Sequence, residues 1–428
     1  MLVSASALGA VLAFLEKVPC RSGAWNSQIG QFRDACYTDI YPLYYSEQLA
    51  TGKVPYTGHP VEYPVLIGAV MQAAAWVVRP IADSYRGREF FDVTVIILAI
   101  CLVVGVLATA AAAGKSRRAR ALMVALSPAL IITAFINWDL LAMALTAVGL
   151  AAWAKNKPMA AGVALGLAVA TKFYPLLLLG PLLLLCLRAG KLRDFWITAA
   201  AAAFAWLAVN LPVLIVAPAG WSTFYRFSKS RGADWGSIWY FFQQQNIPLL
   251  GSTQLSTLND MSTALFVLAC IGIAIIALAA PRRPRLPQLC FLVLAAFLMT
   301  NKVWSPQYVV WLAPLAVLAR PRLWPYVLWQ LAEIAYFFGI WWYFVFLFNG
   351  TTPFSMSTGW YFATLLARFL TVALMCGYVI NDIYHPERDV VRVDGHDDDP
   401  AGGVLNRAED RFVLRRRRPV LLTQPPPA

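Results

Sequence analysis

The sequence is poor in charge. Asp, Glu, Lys and Arg make up only 13% of its 428 residues, about half of the roughly 25% usual in soluble domains. With so little charge and 60% hydrophobic residues, the chain is not an ordinary soluble protein. Its mean hydropathy of +0.61 places it among polytopic membrane proteins. Metal-ligand patterns are missing too. The seven cysteines include no Cys-x-x-Cys pair and the three histidines are scattered, so no zinc or other metal site is expected. There is no phosphate-cradling glycine loop of the Walker type and no dinucleotide fingerprint. Nucleotide-driven chemistry is therefore unsupported, and no cofactor is expected. The formal net charge is +13, but the basic residues stand in short clusters between apolar runs. That spacing indicates membrane topology rather than nucleic acid.

What the sequence does contain is a succession of apolar runs. A spanning helix needs about 20 residues; the first run, residues 2–15, is shorter, yet reads as a span because it lacks the basic region and cleavage site of a secretory signal. Residues 16–63 form a long polar loop. Further spans are expected near 90–113, 121–136, 140–154, 158–170, 174–187, 195–217, 261–280, 286–300, 308–319, 324–348 and 359–380. Alternate loops hold Lys115, Arg117, Arg118 and Arg120; Lys155 and Lys157; Arg188, Lys191 and Arg193; Arg282, Arg283 and Arg285; and Arg320 and Arg322. The positive-inside rule makes these loops cytoplasmic. That parity leaves residues 64–81 lying on, or dipping into, the outer face. The expectation is an all-α bundle of about twelve membrane helices over residues 1–380, with both termini cytoplasmic. In the alternative, 64–81 spans and the first run does not; Asp39 would switch sides if only 64–81 were reassigned. Residues 381–428, with Asp397, Asp398 and Asp399 and the arginines at 415–418, are too polar to bury a core, so a disordered cytoplasmic tail is expected.

Cys101, Cys186, Cys270, Cys290 and Cys376 fall in apolar spans and read as small core residues. Cys20 and Cys36 share the external loop, where an oxidising compartment would permit a disulfide; the pairing stays open. Asp39, Glu62 and Asp139 are acids, and Lys172 and Lys302 bases, at outer helix ends among many aromatic residues. A carboxylate near the membrane needs water, a partner or a job. One carboxylate to take a proton, with cations to hold an anionic leaving group, suits group transfer from a lipid phosphate. Each residue also has a plainer reading. Asp39 and Asp139 are placed to cap the helices beginning at Ile40 and Leu140. Glu62 can bond nearby amides, and a lysine at a helix end can reach for headgroups. Trp235, Trp239 and Tyr240, near Arg231 and Asp234, are candidates for acceptor contacts, whereas Trp341-Trp342-Tyr343 reads as an interfacial belt or packing rather than a sugar platform.

Cys36-Tyr37-Thr38-Asp39-Ile40, Gly52-Lys53-Val54-Pro55-Tyr56 and Val61-Glu62-Tyr63-Pro64-Val65-Leu66 resemble the start of glycosyltransferase family 87. These are actinobacterial mannosyltransferases of the membrane-embedded GT-C class that use polyprenyl-phosphate-mannose. Asn137-Trp138-Asp139, Thr171-Lys172-Phe173-Tyr174-Pro175 and the run from Asn301-Lys302 to Gln307-Tyr308 extend the resemblance, which covers residues 19–380. It implies a GT-C bundle with amphipathic helices in the first outer loop, and inverting transfer of mannose to a glycolipid or polysaccharide. It also implies an active site on the outer face of the cell membrane, with Asp39 as the general base. Glu62, Tyr63, Asn137, Asp139, Lys172, Lys302 and Gln307 are then expected to contact substrate, Lys302 at the lipid phosphate. Rival readings are a transferase for arabinose or glucose on the same kind of lipid, a lipid or solute transporter, and a non-catalytic assembly partner.

Overall fold

The computed structural model describes residues 1–393 and 399–414. The chain opens with α1 (Leu2–Arg21), whose twenty residues continue well past the initial apolar run. Two short helices, α2 (Gly30–Arg33) and α3 (Ile40–Ser46), interrupt the polar loop before α4 (Val65–Val78) and the thirty-residue α5 (Asp83–Ala112). There follow α6 (Leu122–Ala125), α7 (Pro128–Thr133), α8 (Asp139–Ala154), α9 (Pro158–Val169), α10 (Leu179–Ala189), α11 (Leu192–Val216), α12 (Pro218–Ser230) and α13 (Ile238–Gln244). The chain closes with α14 (Leu255–Ala279), α15 (Leu286–Thr300), α16 (Val309–Ala319), α17 (Leu323–Asn349), α18 (Thr358–Tyr384) and α19 (Val390–Val393). The described residues contain no named strand. Among the described residues six helices (α1, α5, α11, α14, α17 and α18) are long and apolar enough to cross a membrane, and shorter apolar helices fill the bundle between them. The protein is thus an all-α polytopic membrane bundle.

The layers follow from which helices are apolar on every side. All eleven residues of α16 are buried, as expected of a helix with no polar face. By contrast, α11 and α14 expose Phe204, Ile215, Leu268 and Ile271. Such apolar surface suits lipid contact. One expected span is broken: residues 121–136 form α6 and α7 instead of a single helix. Pro128 has no N–H to continue a helix; it starts α7, and the Ser127 hydroxyl caps the new helix by accepting from the Leu130 amide.

Both termini of α4 lie at one end of the bundle. Its start is tied there by the Leu66 amide donating to the Ala170 carbonyl (3.0 Å) at the end of α9. Its other end leads directly into α5, whose first turns pack on α3 through Tyr44 and Phe90. Because α5 alone then crosses to the basic loop at Lys115, α4 runs along one end of the bundle. This matches the reading of 64–81 as a non-spanning segment.

The tail differs from the disorder expected for residues 381–428. Tyr384 still belongs to α18, and residues 386–393 and 399–414 form a strap across the basic loops. Arg285 and Asp389 make a buried ion pair at 2.7 Å, and Asp399 accepts from the Leu286 amide at 2.8 Å. The Trp153 indole donates to the Gly402 carbonyl at 2.9 Å, and Asp410 pairs with both Arg188 and Arg283. Polarity here marks ion pairing with arginines of the loops, not the lack of a partner. Asp397, Asp398 and the arginines at 415–418 lie outside the described residues.

Candidate active site

The loop between α1 and α4 is held against the bundle at several points. Cys20 and Cys36 form a disulfide that ties it to the end of α1. The Thr38 hydroxyl then donates to the Phe135 carbonyl, and the Asp39 amide to the Ile136 carbonyl, both at 2.7 Å. These bonds pair the Tyr37–Asp39 arm with the chain leaving α7, and so bring Asp39 beside Asn137. The Tyr37 hydroxyl donates to one Asp39 carboxylate oxygen at 2.7 Å, and the Asn137 amide to the other at 2.9 Å. Asn137 also donates to the Tyr63 hydroxyl at 2.7 Å. Asp39 precedes α3, yet its side chain makes no capping bond. The cap reading therefore fails, and the carboxylate faces a cavity.

That cavity has a volume of about 710 Å³. Asp39, Glu62, Tyr63, Asn137, Lys172, Lys302 and Gln307 all line it, although they come from five separate stretches of chain. Asp139 is the expected site residue that does not. It is buried just behind, accepting from the Trp311 indole at 2.8 Å and standing 3.4 Å from the Lys172 ammonium. Asp139 is the first residue of α8 rather than its cap, and its second carboxylate oxygen accepts no hydrogen bond from the described residues; its place is beside Lys172. Lys172 also lies 5.0 Å from the centre of the Tyr63 ring, which brings a cation to the polar end of the cavity.

Lys302 is differently employed. Its ammonium donates to the carbonyls of Lys229 and Arg231 (3.0 and 2.6 Å) and to Asn259 Oδ1 (2.7 Å). Three donors are all an ammonium has, so Lys302 fastens the loop after α12 and presents no free proton to a phosphate. The cations that this fastening sets at the wall are Lys229 and Arg231. Arg231 is 3.6 Å from Asp234. Of the expected aromatic trio, Trp235 lines the cavity. Trp239 is buried with its indole on the Thr300 carbonyl, and Tyr240 bonds Tyr343. Trp341, expected in an interfacial belt or in packing, lines the cavity with Phe32 and Phe344 and packs 4.6 Å from Tyr37.

Burial raises the pKa of Asp39 above the ordinary carboxylate range, opposed by the hydrogen bonds from Tyr37 and Asn137 and by the charge of Lys172. Burial raises Glu62 as well, against the pull of Arg231. Two proton-accepting carboxyls thus face one cavity with cations at its edge. Among the described residues no three His, Cys, Asp or Glu side chains group as metal ligands. Sequence reading did not single out Tyr37, Phe32 or Arg368. The first has a signal in its position two residues before Asp39. Arg368 has none: it pairs with Glu333 at 2.8 Å and donates to the carbonyls of Trp304 and Ser305, shaping the turn before Gln307 from a distant helix.

The model of Glycosyltransferase family 87 matches residues 63–306, more than half of the chain. The match includes Tyr63, Asn137, Asp139, Lys172 and Lys302, and begins after Asp39 and Glu62. No curated protein matches the chain.

Proposed function

The chain belongs to glycosyltransferase family 87, and from that premise we propose that this membrane glycosyltransferase moves mannose from polyprenyl-phosphate-mannose to a glycolipid or polysaccharide. Asp39 is the general base. The observation that carries the reading is the Asp39 carboxylate, uncapped and held by Tyr37 and Asn137, in the same cavity as Lys172 and Arg231. The acceptor hydroxyl attacks the anomeric carbon as its proton passes to Asp39. The bond from that carbon to the phosphate oxygen breaks, its electron pair stays on the phosphate, and the product is an inverted α-mannoside. Charge grows on the leaving phosphate, where fixed cations stabilise it. Lys172 and Arg231 serve here, in place of the Lys302 of the sequence reading. Glu62, Tyr63, Asn137 and Gln307 line the space for the sugars. The cavity lies at the bundle end opposite the basic loops, so we place it on the outer face of the cell membrane, where a lipid-linked sugar is the natural donor.

The test is mannose transfer from purified polyprenyl-phosphate-mannose to an extracted glycolipid fraction, comparing wild type with Asp39→Asn at equal folded expression. Loss of the base should lower turnover roughly 10²- to 10⁴-fold. An Asp39→Asn enzyme with normal turnover excludes the assigned base. No transfer by wild type would direct the assay to lipid-linked arabinose or glucose, and failure of those donors would favour a transporter.

A further inference from the structure

Lys17 lies one turn before Cys20 on α1 and has no exposed surface. Burying an ammonium is costly unless it is paired and fully bonded, so its partners show what the cost maintains. Glu16 stands 2.9 Å away and supplies the counter-charge. The more informative partner is the Tyr37 carbonyl, to which the Lys17 ammonium donates at 2.8 Å. Tyr37 is therefore gripped at both ends: its carbonyl by Lys17, and its hydroxyl on Asp39 Oδ1 at 2.7 Å. Its ring packs between Phe32 at 5.7 Å and Trp341 at 4.6 Å. One turn further along α1, the Cys20–Cys36 disulfide holds the preceding residue. The end of α1 is a clamp with one covalent and one ionic jaw, and the segment it holds carries Asp39.

We propose that Lys17 is a positioning residue for Asp39: through the Tyr37 carbonyl it fixes the Tyr37–Asp39 pair at the cavity wall. This rests on Asp39 being the base. The groups facing Asp39 are Tyr37 and Lys17 from its own arm and α1, Asn137 and Asp139 from the start of α8, Lys172 from the turn after α9, and Glu62 and Tyr63 from the approach to α4. Lys172 supports ionisation and the two acids oppose it. Taking Lys17 away leaves the acids less balanced, so Asp39 would hold its proton to higher pH.

The experiment compares Lys17→Met, Lys17→Gln and Lys17→Arg in the mannose-transfer assay across pH. Folding is checked by thermal stability and by the intact Cys20–Cys36 disulfide. A small displacement of a reacting group can cost on the order of a hundredfold. For Lys17→Met we expect kcat to fall tenfold to a hundredfold on that scale, both KM values to change little, and the acidic limb of the pH profile to move to higher pH. Lys17→Arg keeps the charge and should return the limb to the wild-type position. Should Lys17→Met fail to fold, Lys17→Gln still donates one bond to the Tyr37 carbonyl without the charge, and its limb should move the same way. Wild-type turnover and limb in a folded neutral variant overturn the proposal. So does a loss of rate with an unmoved limb, which marks a merely structural residue. Asp39→Asn assayed alongside separates the two ideas. If it stays active, the base reading has failed; if it is dead while the Lys17 variants match wild type, only the clamp has failed.

Discussion

At the scale of single residues, what a side chain can do at the cavity is decided by the partners its polar atoms already have. Asp39, Glu62, Asn137, Lys172 and Gln307 share one cavity because each sits in a short motif at a helix end, and helix ends at one side of a bundle converge. The sequence sets Lys302 at the lipid phosphate because it shows a charge and not the carbonyls around it. Lys17 gave no signal at all, since its partner lies across a disulfide-closed loop. The structure separates the two kinds of lysine and arginine by their donors. Lys302 fills its three donors with Lys229, Arg231 and Asn259, so Lys302→Ala takes the ammonium from the Arg231 carbonyl and leaves the Lys229 carbonyl only the 3.3 Å bond from the Asn259 amide. A carbonyl left without a donor costs about 1–3 kcal/mol where it stays buried. We expect a lowered melting temperature and reduced use of both substrates. Arg231→Ala removes a half-exposed guanidinium at the cavity edge, so the expected effect is a higher KM for the lipid donor with stability nearly unchanged. Donor titrations and thermal unfolding in detergent check both. A stable Lys302→Ala enzyme impaired only in donor use would restore the phosphate contact to Lys302.

At the scale of elements, the approach of α4 and α12 to the site depends on Tyr56. Its hydroxyl donates to the carbonyls of Tyr63 and Pro64 at 3.0 and 2.8 Å, which fixes the residue that Asn137 and Lys172 both touch. Gly68 on α4 and Gly220 on α12 make room for it. A Cβ at Gly68 would stand 2.3 Å from the Tyr56 hydroxyl, and one at Gly220 would stand 2.1 Å from the Tyr56 carbonyl oxygen. The first can be relieved by moving a side chain end; the second meets backbone. Overpacking of this kind typically costs about 1–3 kcal/mol. Gly220→Ala should therefore lower the melting temperature and, by displacing α12 with the Lys229 and Arg231 that follow its turns, raise the donor KM more than the acceptor KM. Normal kinetics and stability in Gly220→Ala would mean that α12 is not held here. None of this was legible beforehand. The motif around Tyr56 is visible in the sequence, but the two glycines that receive it are ordinary small residues of apolar stretches. The break between α6 and α7 was hidden likewise, because Ser127 and Pro128 interrupt a run that hydropathy alone reads as continuous.

At the scale of the whole molecule, the alternation of basic and aromatic loops survives folding as two unlike ends. Helix α8 leaves the site at Asp139 and ends beside Lys155, where the indole of Trp153 meets the tail strap through the Gly402 carbonyl. Helix α14 starts at the opposite end, since its Asn259 binds the Lys302 ammonium at the cavity. The basic loops thus share one end with the strap, and the cavity occupies the other. The charge pattern made this legible because topology is encoded in loop composition, whereas the strap was missed because its polar residues find their partners only in the folded bundle. An exposed residue of each end reports the orientation. Thr253 precedes α14 and Lys155 follows α8, and both are exposed. In intact cells a membrane-impermeant thiol reagent should label Thr253→Cys and leave Lys155→Cys unlabelled until the membrane is opened, with unsubstituted protein setting the background of the five free cysteines. The reverse pattern would put the cavity in the cytoplasm. There an oxidised Cys20–Cys36 pair would be unexpected, and the argument for a lipid-linked donor over a soluble nucleotide sugar would lose its ground. Labelling at Thr253 alone keeps the cavity, the disulfide and the donor on one side of the membrane, as the proposed transfer requires.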